Sequence, residues 1–270
     1  DYKPQKALCI VGLCNVMCLL FITFFEIFDC GIYHIKDSFV TLYKLNFMTK
    51  ISKLHIISAE YIDEYKAKNQ IDIVHLFKSL EKIEVDFPKF DFYTSLASVY
   101  SSKIEGEDID MDSYIKHKFM KRKYLPNYTK KTDDLFNAYK FANVNKLNFK
   151  NFLAVHKIIS KHLIPVSERG VLRTLPELVI DSEERIVYVA TDPKLVKSEI
   201  NKLFKDIAYL IKKKLTYEDV FYFASMIHLV FVKIHPFYDG NGRSARLLEK
   251  WFIAEKLGKI AWYLKSEKYY

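Results

Sequence analysis

Glycine and proline are scarce in this chain, with seven of each among 270 residues. These two residues supply many of the special backbone conformations that tight turns need. Their scarcity therefore predicts a mainly helical fold with few tight turns. It also makes any cluster of glycines informative, and Gly240 and Gly242 form such a cluster.

Two helices with clear boundary signals flank this cluster. The first is predicted from about Tyr217 to Ile234, because Thr216 is a typical N-cap residue and apolar side chains recur at helical spacing. Pro236 then ends it, since proline cannot continue a helix without a large energetic cost. The second helix is predicted to begin near Arg243 and to end at Gly258.

The rest of the chain also reads as helical, with one exception. Helices are predicted over residues 93–104, as one or two segments within 54–83, and after Asp192, where Pro193 fits the first helical position. Short β-prone runs within residues 177–189 predict a β-hairpin just before the Asp192 helix.

The N-terminal part of the chain differs from the rest. Residues 7–25 form a nearly unbroken apolar run with the length of a membrane-spanning helix or signal anchor. The alternatives are a helix buried in the protein and a segment outside the functional protein. Composition changes abruptly at Met48. We therefore expect a cytoplasmic protein, unless residues 7–25 anchor it in a membrane. The expected divisions are a hydrophobic extension (1–47), an N-terminal helical region (48–115) and a core (116–270).

The net charge of +9 raises the question of acidic partners. Basic residues concentrate at Lys116, Lys118, Lys121, Arg122, Lys123, Lys130 and Lys131. No recognisable nucleic-acid-binding module surrounds them, so a solvated lysine-rich surface is the simpler interpretation and nucleic acid is not an expected partner. All four cysteines lie within the first thirty residues, so the main domain has neither disulfides nor thiol chemistry.

The segment from His235 to Arg246 combines three chemical features. Its glycine-rich loop opens a helix, so backbone N–H groups and the helix dipole attract anions there. Arg243 and Arg246 add two guanidinium groups in the first helical turn, which suits a polyphosphate. Asp239 is an oxygen ligand suited to Mg²⁺, and His235 has the near-neutral pKa that a general base needs. Together they predict nucleotidyl or phosphoryl transfer.

Each of these features has a simpler structural explanation when it is taken alone. A histidine before a proline is usually a helix-end residue, and Gly-Asn-Gly is usually a turn. An arginine pair at helical spacing often binds only surface carboxylates. Chance does not readily produce all of these features in this order within one short segment.

This segment resembles the signature of the Fic family, His-Pro-Phe-x-Asp/Glu-Gly-Asn-Gly-Arg-x-x-Arg, at every specified position. The resemblance covers roughly residues 93–270 and implies a Fic-type helical bundle that transfers AMP from ATP to a protein hydroxyl with the help of Mg²⁺. It implies that His235 deprotonates the target hydroxyl, which attacks the α-phosphate, and that Asp239 holds Mg²⁺. The phosphate-binding residues that it implies are Gly240, Asn241, Gly242, Arg243 and, at the γ-phosphate, Arg246.

Two more elements are assigned by the resemblance alone. The predicted hairpin, with Leu178, Val179 and Ile180, stands where the family has a flap that pairs with the target in the manner of a β-strand. Tyr269 stands at about the distance of a tyrosine that contacts adenine in the family.

Residues 101–106, Ser-Ser-Lys-Ile-Glu-Gly, resemble the family's inhibitory motif, Ser/Thr-x-x-x-Glu-Gly/Asn. Here Ser101, Glu105 and Gly106 match, and the motif precedes the catalytic core, as in the class II type whose N-terminal helix blocks the site. The resemblance implies that Glu105 competes with the γ-phosphate for Arg246. The simpler interpretation is a helix-end glutamate followed by a capping glycine.

Other activities remain open at this level. A Fic-type enzyme could mainly remove AMP, with Glu105 orienting a water, or transfer another phosphate-containing group. Kinase-like relatives carry lysine at the position of Gly242, which favours AMP transfer here. A regulatory nucleotide-binding module is a further alternative, but it has no need of a base such as His235. The expected partners are target proteins that bear a hydroxyl side chain, with self-modification included.

Overall fold

The computed structural model describes residues 53–68, 73–82, 84, 87–124, 126–180 and 186–269. The apolar run at 7–25 and the whole extension 1–47 lie outside these residues. Within the described parts of the chain, no helix is both long and apolar enough to cross a membrane.

The described residues are mainly helical, as the scarcity of glycine and proline predicts. The helices are α1 (Ile62–Lys68), α2 (Ile73–Lys82), α3 (Lys89–Ile104), α4 (Met111–Met120), α5 (Pro126–Val144), α6 (Phe149–Ile159), α7 (Pro193–Lys212), α8 (Tyr217–Ile234) and α9 (Asn241–Leu257). Short 3₁₀ turns occupy Ser160–His162, Val166–Glu168, Lys259–Tyr263 and Ser266–Tyr269.

Local capping explains where the best-predicted helices begin. Thr216 and Asp219 form a reciprocal capping box, so α8 starts where the sequence predicts. The Asp192 carboxylate accepts a hydrogen bond from the Lys194 N–H at 2.8 Å, with Pro193 at the first helical position of α7. Gly258 follows the last residue of α9, also as predicted.

Two predicted boundaries were displaced. Helix α9 begins at Asn241 rather than near Arg243, so the Gly-Asn-Gly sequence spans the helix start instead of preceding it. Helix α3 begins at Lys89, four residues before the predicted start at 93, because the Phe92 N–H already bonds the Pro88 carbonyl at 3.0 Å.

Two short strands, β1 (Leu178–Ile180) and β2 (Ile186–Val189), pair antiparallel, with Leu178 opposite Val189. The residues that join them, 181–185, lie outside the described part of the chain. Apolar side chains on this strand pair are open to solvent, with Leu178 53%, Ile186 59% and Val189 62% exposed.

Most of the core is one large apolar cluster in which α8 is central, and a small second cluster contains Val99, Ile109 and Tyr114. Val220, Phe223, Ile227 and Phe231 are fully buried along α8, because they recur at helical spacing and so share one face. Helix α9 packs closely along α8. The connecting loop, residues 235–240, is therefore held at the shared end of two buried helices.

Candidate active site

His235 ends α8 in the left-handed conformation, with φ 49° and ψ 62°. This region is uncommon for a residue other than glycine, and neighbouring contacts must hold such a residue there. Arg173 supplies these contacts: its Nε donates to the His235 carbonyl at 2.6 Å, and its backbone N–H donates to the Pro236 carbonyl at 2.9 Å. The turn that presents His235 is thus fixed from outside the motif.

The imidazole of His235 is in an environment that favours its neutral form. Burial lowers its pKa, and the positive charge of Arg173 lowers it further. The Val232 carbonyl, Glu105 and Asp239 oppose this shift but do not reverse it. Although Val232 is near, Nδ1 is buried without a hydrogen-bond partner of good geometry among the described residues. A neutral ring at pH 7 is able to accept a proton.

The loop that follows His235 is shaped by the side chain of Asn241. Its Oδ1 accepts from the Phe237 N–H at 3.0 Å, and its Nδ2 donates to the Phe237 carbonyl at 2.7 Å. Gly240 has φ 79° and caps α9, a conformation that costs glycine little. The amide of Asn241 is thus committed to the loop, and the first N–H groups of α9 are the anion-attracting feature.

Arg246 is buried in the first part of α9 and binds α3 through two of its three guanidinium nitrogens. Its Nε donates to the Ser101 hydroxyl at 2.8 Å, and its Nη2 donates to the Ser101 carbonyl at 3.1 Å and to Glu105 Oε1 at 2.6 Å. The side chain of Arg246 is 5% exposed and that of Glu105 is 28% exposed. The contact expected from the inhibitory motif is therefore present in the structure.

Glu105 is ionised in this position. Burial alone would raise its pKa, but Arg246 and Arg243 outweigh burial and leave the pKa below its ordinary value. The charges of both motif arginines therefore stabilise this one carboxylate.

Gly242 explains how the carboxylate comes so close to the start of α9. A Cβ at this position would lie 2.3 Å from Glu105 Oε1 and 3.2 Å from Arg246 Nη1. Glu105 therefore occupies the space next to the α9 backbone where the loop's anion-binding character is greatest. Gly106 follows in the left-handed region, with φ 81°, and ends α3; the capping interpretation of this pair thus also holds.

The sequence reasoning missed Glu107. Its Oε1 accepts from Arg243 Nη2 at 3.1 Å and from Lys131 Nζ at 2.7 Å. Both motif arginines are thus paired with acids of the same segment, Arg246 with Glu105 and Arg243 with Glu107. The available signal was the second acid two residues after Glu105.

Arg173 was also missed. It is 1% exposed, and besides His235 it donates to the carbonyls of Leu175, Thr191 and Ile234 at 2.6 to 3.2 Å. A cation near the last carbonyls of α8 suits the negative end of the helix dipole. No local pattern in the sequence distinguishes this arginine, because its contacts to Thr191, Ile234 and His235 are made through tertiary structure.

Asp239 is partly exposed at the rim of the loop, and its Oδ1 accepts from the Gly240 N–H at 2.5 Å. Among the described residues, no three His, Cys, Asp or Glu side chains converge on a point as a complete metal site would require. A single carboxylate still fits Mg²⁺, which is usually bound by one or two carboxylates together with substrate phosphates. Asp239 is thus suited to a metal that arrives with a nucleotide.

The structure describes Tyr269 and the predicted flap residues only in part. The Tyr269 backbone belongs to the last 3₁₀ turn, but its side chain lies outside the described atoms, as do those of Val179 and Ile180. For the flap, the described features are therefore the strand pairing and the exposed Leu178 side chain.

The fold and the loop are those of a mainly helical Fic-type bundle. Residues 146–253 match the sequence model of the Fic/DOC family. The matched stretch contains the whole His235–Arg246 segment.

Two solved structures are similar to this chain in fold. A Fic domain-containing signaling protein from Bacteroides thetaiotaomicron is similar with a TM-score of 0.55 and 18% identity, over 74% of each chain. A Fic family protein from Desulfovibrio desulfuricans is similar with a TM-score of 0.53 and 19% identity, over 87% of this chain and 63% of that one. No curated protein matches the chain.

Proposed function

We propose that this protein transfers AMP from ATP to a serine, threonine or tyrosine hydroxyl of a target protein, and that Glu105 inhibits the transfer. One observation carries the proposal. The Glu105 carboxylate pairs with Arg246 at 2.6 Å and lies against the α9 backbone at Gly242. It therefore occupies an anion site at a helix N-terminus, in the loop that follows His235. An ionised nucleotide phosphate has the chemistry to replace that carboxylate.

The proposed reaction follows from these positions. The N–H groups at the start of α9 and Arg243 bind the phosphates, and Arg246 binds the γ-phosphate. His235 accepts the proton of the target hydroxyl as its oxygen bonds to the α-phosphorus. The bond from that phosphorus to the β-phosphate oxygen breaks, and pyrophosphate leaves. Bound at Asp239, Mg²⁺ would neutralise charge on the phosphates.

The strand pair offers a place for the target. Leu178, Ile186 and Val189 expose apolar side chains beside a short, two-stranded sheet. An extended segment of a target can add to a sheet edge through backbone hydrogen bonds, while neighbouring apolar side chains select its residues. We therefore propose this pair as the element that aligns the target hydroxyl with His235.

The inhibition follows from the Arg246 contact. Arg246 donates through Nε and Nη2 to Ser101 and Glu105, and the same guanidinium cannot serve the γ-phosphate at full strength while it is so engaged. ATP must displace the carboxylate before its terminal phosphate is bound for in-line transfer.

The test uses two labelled nucleotides. The protein is incubated, alone and with a cell lysate, with ATP labelled at the α- or the γ-phosphate. We expect label on protein from α-labelled ATP only, and its loss in His235→Ala, since removing a general base costs about 10²–10⁴-fold in rate. His117→Ala is the matched control, because His117, on α4, contacts Asp133 of α5 and not the loop.

The outcomes separate the alternatives. Incorporation from γ-labelled ATP would show phosphoryl transfer instead. Unchanged incorporation by His235→Ala, with ATP bound as in the parent, would remove the general base from the mechanism. Release of AMP from an already labelled protein would favour AMP removal as the main activity.

A further inference from the structure

His156 lies directly beneath the loop, on the core side. It is fully buried on α6. Its ring is stacked on that of Phe237, with centroids 3.6 Å apart and planes at 8°. Its Nε2 lies 2.9 Å from the Asp239 carbonyl oxygen, and its Nδ1 lies 3.0 Å from the Gly170 nitrogen. The ring thus contacts two residues of the motif and one residue of a distant loop.

These partners determine which nitrogen carries the proton. The Gly170 N–H can only donate, so Nδ1 must accept. Nε2 therefore carries the hydrogen and donates it to the Asp239 carbonyl. Both nitrogens are satisfied, and the ring has one orientation that satisfies them.

Gly170 is what brings this N–H to the ring. Its φ is 71°, and a Cβ there would lie 2.8 Å from the Leu153 carbonyl oxygen of α6. A glycine at this position therefore permits the close approach to the helix that places its N–H at Nδ1. The hydrogen bond from the Gly170 N–H to His156 Nδ1 thus depends on the left-handed backbone conformation of Gly170.

The bond to the Asp239 carbonyl has a consequence on the other side of the peptide. In a trans peptide the C=O and the following N–H point in opposite directions. With the carbonyl held toward His156, the Gly240 N–H points away from the core, where it donates to Asp239 Oδ1 at 2.5 Å. The orientation of one peptide plane thus sets the direction of the Asp239 carboxylate.

We infer that His156 is a positioning residue for the proposed reaction: by holding the Asp239 carbonyl through Nε2, it fixes the Asp239–Gly240 peptide and aims the Asp239 carboxylate at the nucleotide phosphates. The inference rests on the proposed function for its catalytic consequence. The loop geometry itself does not depend on that function.

Packing alone does not account for a histidine here. The ring sits against Phe237 in an apolar part of the core, where an apolar ring would bury equal surface without desolvating two polar nitrogens. The hydrogen bonds of those nitrogens are the feature that phenylalanine cannot reproduce. They link α6 and the Gly170 segment to the loop.

Three variants test separately the hydrogen bonds that His156 makes through Nε2 and Nδ1. The amide of His156→Gln reaches about as far as Nε2 and can donate to the Asp239 carbonyl, whereas the amide of His156→Asn reaches about as far as Nδ1 and can accept from Gly170. His156→Phe keeps the stack on Phe237 and loses both bonds. Each is made in the full chain, in the parent and in the Glu105→Gly background, and its thermal unfolding is recorded.

Steady-state AMP incorporation is the first readout. We expect kcat to fall about 10²-fold in His156→Asn and His156→Phe, because small misplacements in a site cost rates of this order. KM for ATP should change less than about threefold, since the phosphate-binding cations are untouched, and His156→Gln should retain kcat within about threefold. Equal kcat in the Gln and Asn variants would overturn the positioning role.

Amide hydrogen exchange of residues 237–243 is the second readout and requires no activity. Exchange at Gly240 should be at least about tenfold faster in the Asn and Phe variants than in the parent and in Gln. Equal exchange at Gly240 in the parent and the three variants would overturn the inference, even if their kcat values differed. If the parent transfers no AMP, the proposed function fails, and exchange still decides the role of His156. If both amide variants fail to fold, the comparison of parent and Phe decides it.

Discussion

Removing the Glu105 carboxylate should activate the enzyme by a factor that the structure allows to be estimated. The bond to Arg246 is short, 2.6 Å, and the arginine is buried, but the glutamate side chain remains 28% exposed. A hydrogen bond to a charged group contributes about 1.5–3 kcal/mol. Because solvent reaches the carboxylate, we take about 2 kcal/mol, which at 1.4 kcal/mol per tenfold corresponds to about 30-fold.

Two substitutions and one control test this estimate. Glu105→Gly removes the whole competitor, so initial AMP incorporation at subsaturating ATP should rise about 30-fold. Glu105→Gln keeps the shape and a neutral hydrogen bond, so its activation should be smaller. Asp108→Asn removes an exposed charge three residues further on and should not change the rate. Equal incorporation by the parent and Glu105→Gly, with both folded and binding ATP, would refute the reasoning.

The same carboxylate predicts a dependence of stability on pH. The pKa of Glu105 in the folded protein lies below its ordinary value of 4.5. The stabilisation is therefore present above pH 4.5 and is lost as the pH falls through the folded pKa. In denaturant titrations, the difference in unfolding free energy between the parent and Glu105→Gln should shrink below pH 4.5. A difference that grew on acidification would contradict an ionised, paired Glu105.

Three other substitutions follow from the site. Asp239→Ala should abolish Mg²⁺-dependent transfer, and full activity in chelator would remove the metal role of Asp239. Arg173→Gln should shift the acidic limb of the kcat/KM pH profile to higher pH, because the arginine lowers the pKa of His235. Arg173→Lys keeps the charge and serves as the control. Acidic limbs at the same pH in the parent and both variants would contradict the effect of Arg173 on His235. Glu107→Gln should raise initial incorporation about twofold to fivefold, as expected of a partly exposed ion pair, and an unchanged rate would show that the Arg243 contact does not restrain the enzyme.

The helical core could be predicted because its signals are local. The Thr216 cap, the apolar spacing along α8, Pro236 and Gly258 each act within a few residues, and backbone conformation responds directly to such neighbours. The chemical character of the His235–Arg246 segment could be predicted for the same reason. Its base, carboxylate, glycines and arginines follow one another in the chain, so their presence in one short segment can be seen without any distant residue.

The strand pair and the start of α9 were predicted less completely. The β-prone runs identified the strands, but the extent of an exposed strand depends on what packs and pairs with it rather than on its own residues. The start of α9 shifted to Asn241 because its side chain binds the Phe237 backbone. Capping contacts of this kind depend on how the loop folds.

The surroundings of the motif were decided by tertiary structure. Arg173 reaches His235 across 62 positions of sequence, His156 reaches Asp239 across 83, and Glu107 reaches Arg243 across 136. Arg173 and His156 carry no local pattern, and Glu107 has only its position two residues after Glu105. An arginine, a histidine or a glutamate has the same appearance in the sequence whether it faces water or a buried loop. Their roles arise when packing removes water and brings charges together, since only then do hydrogen bonds and Coulomb interactions become selective.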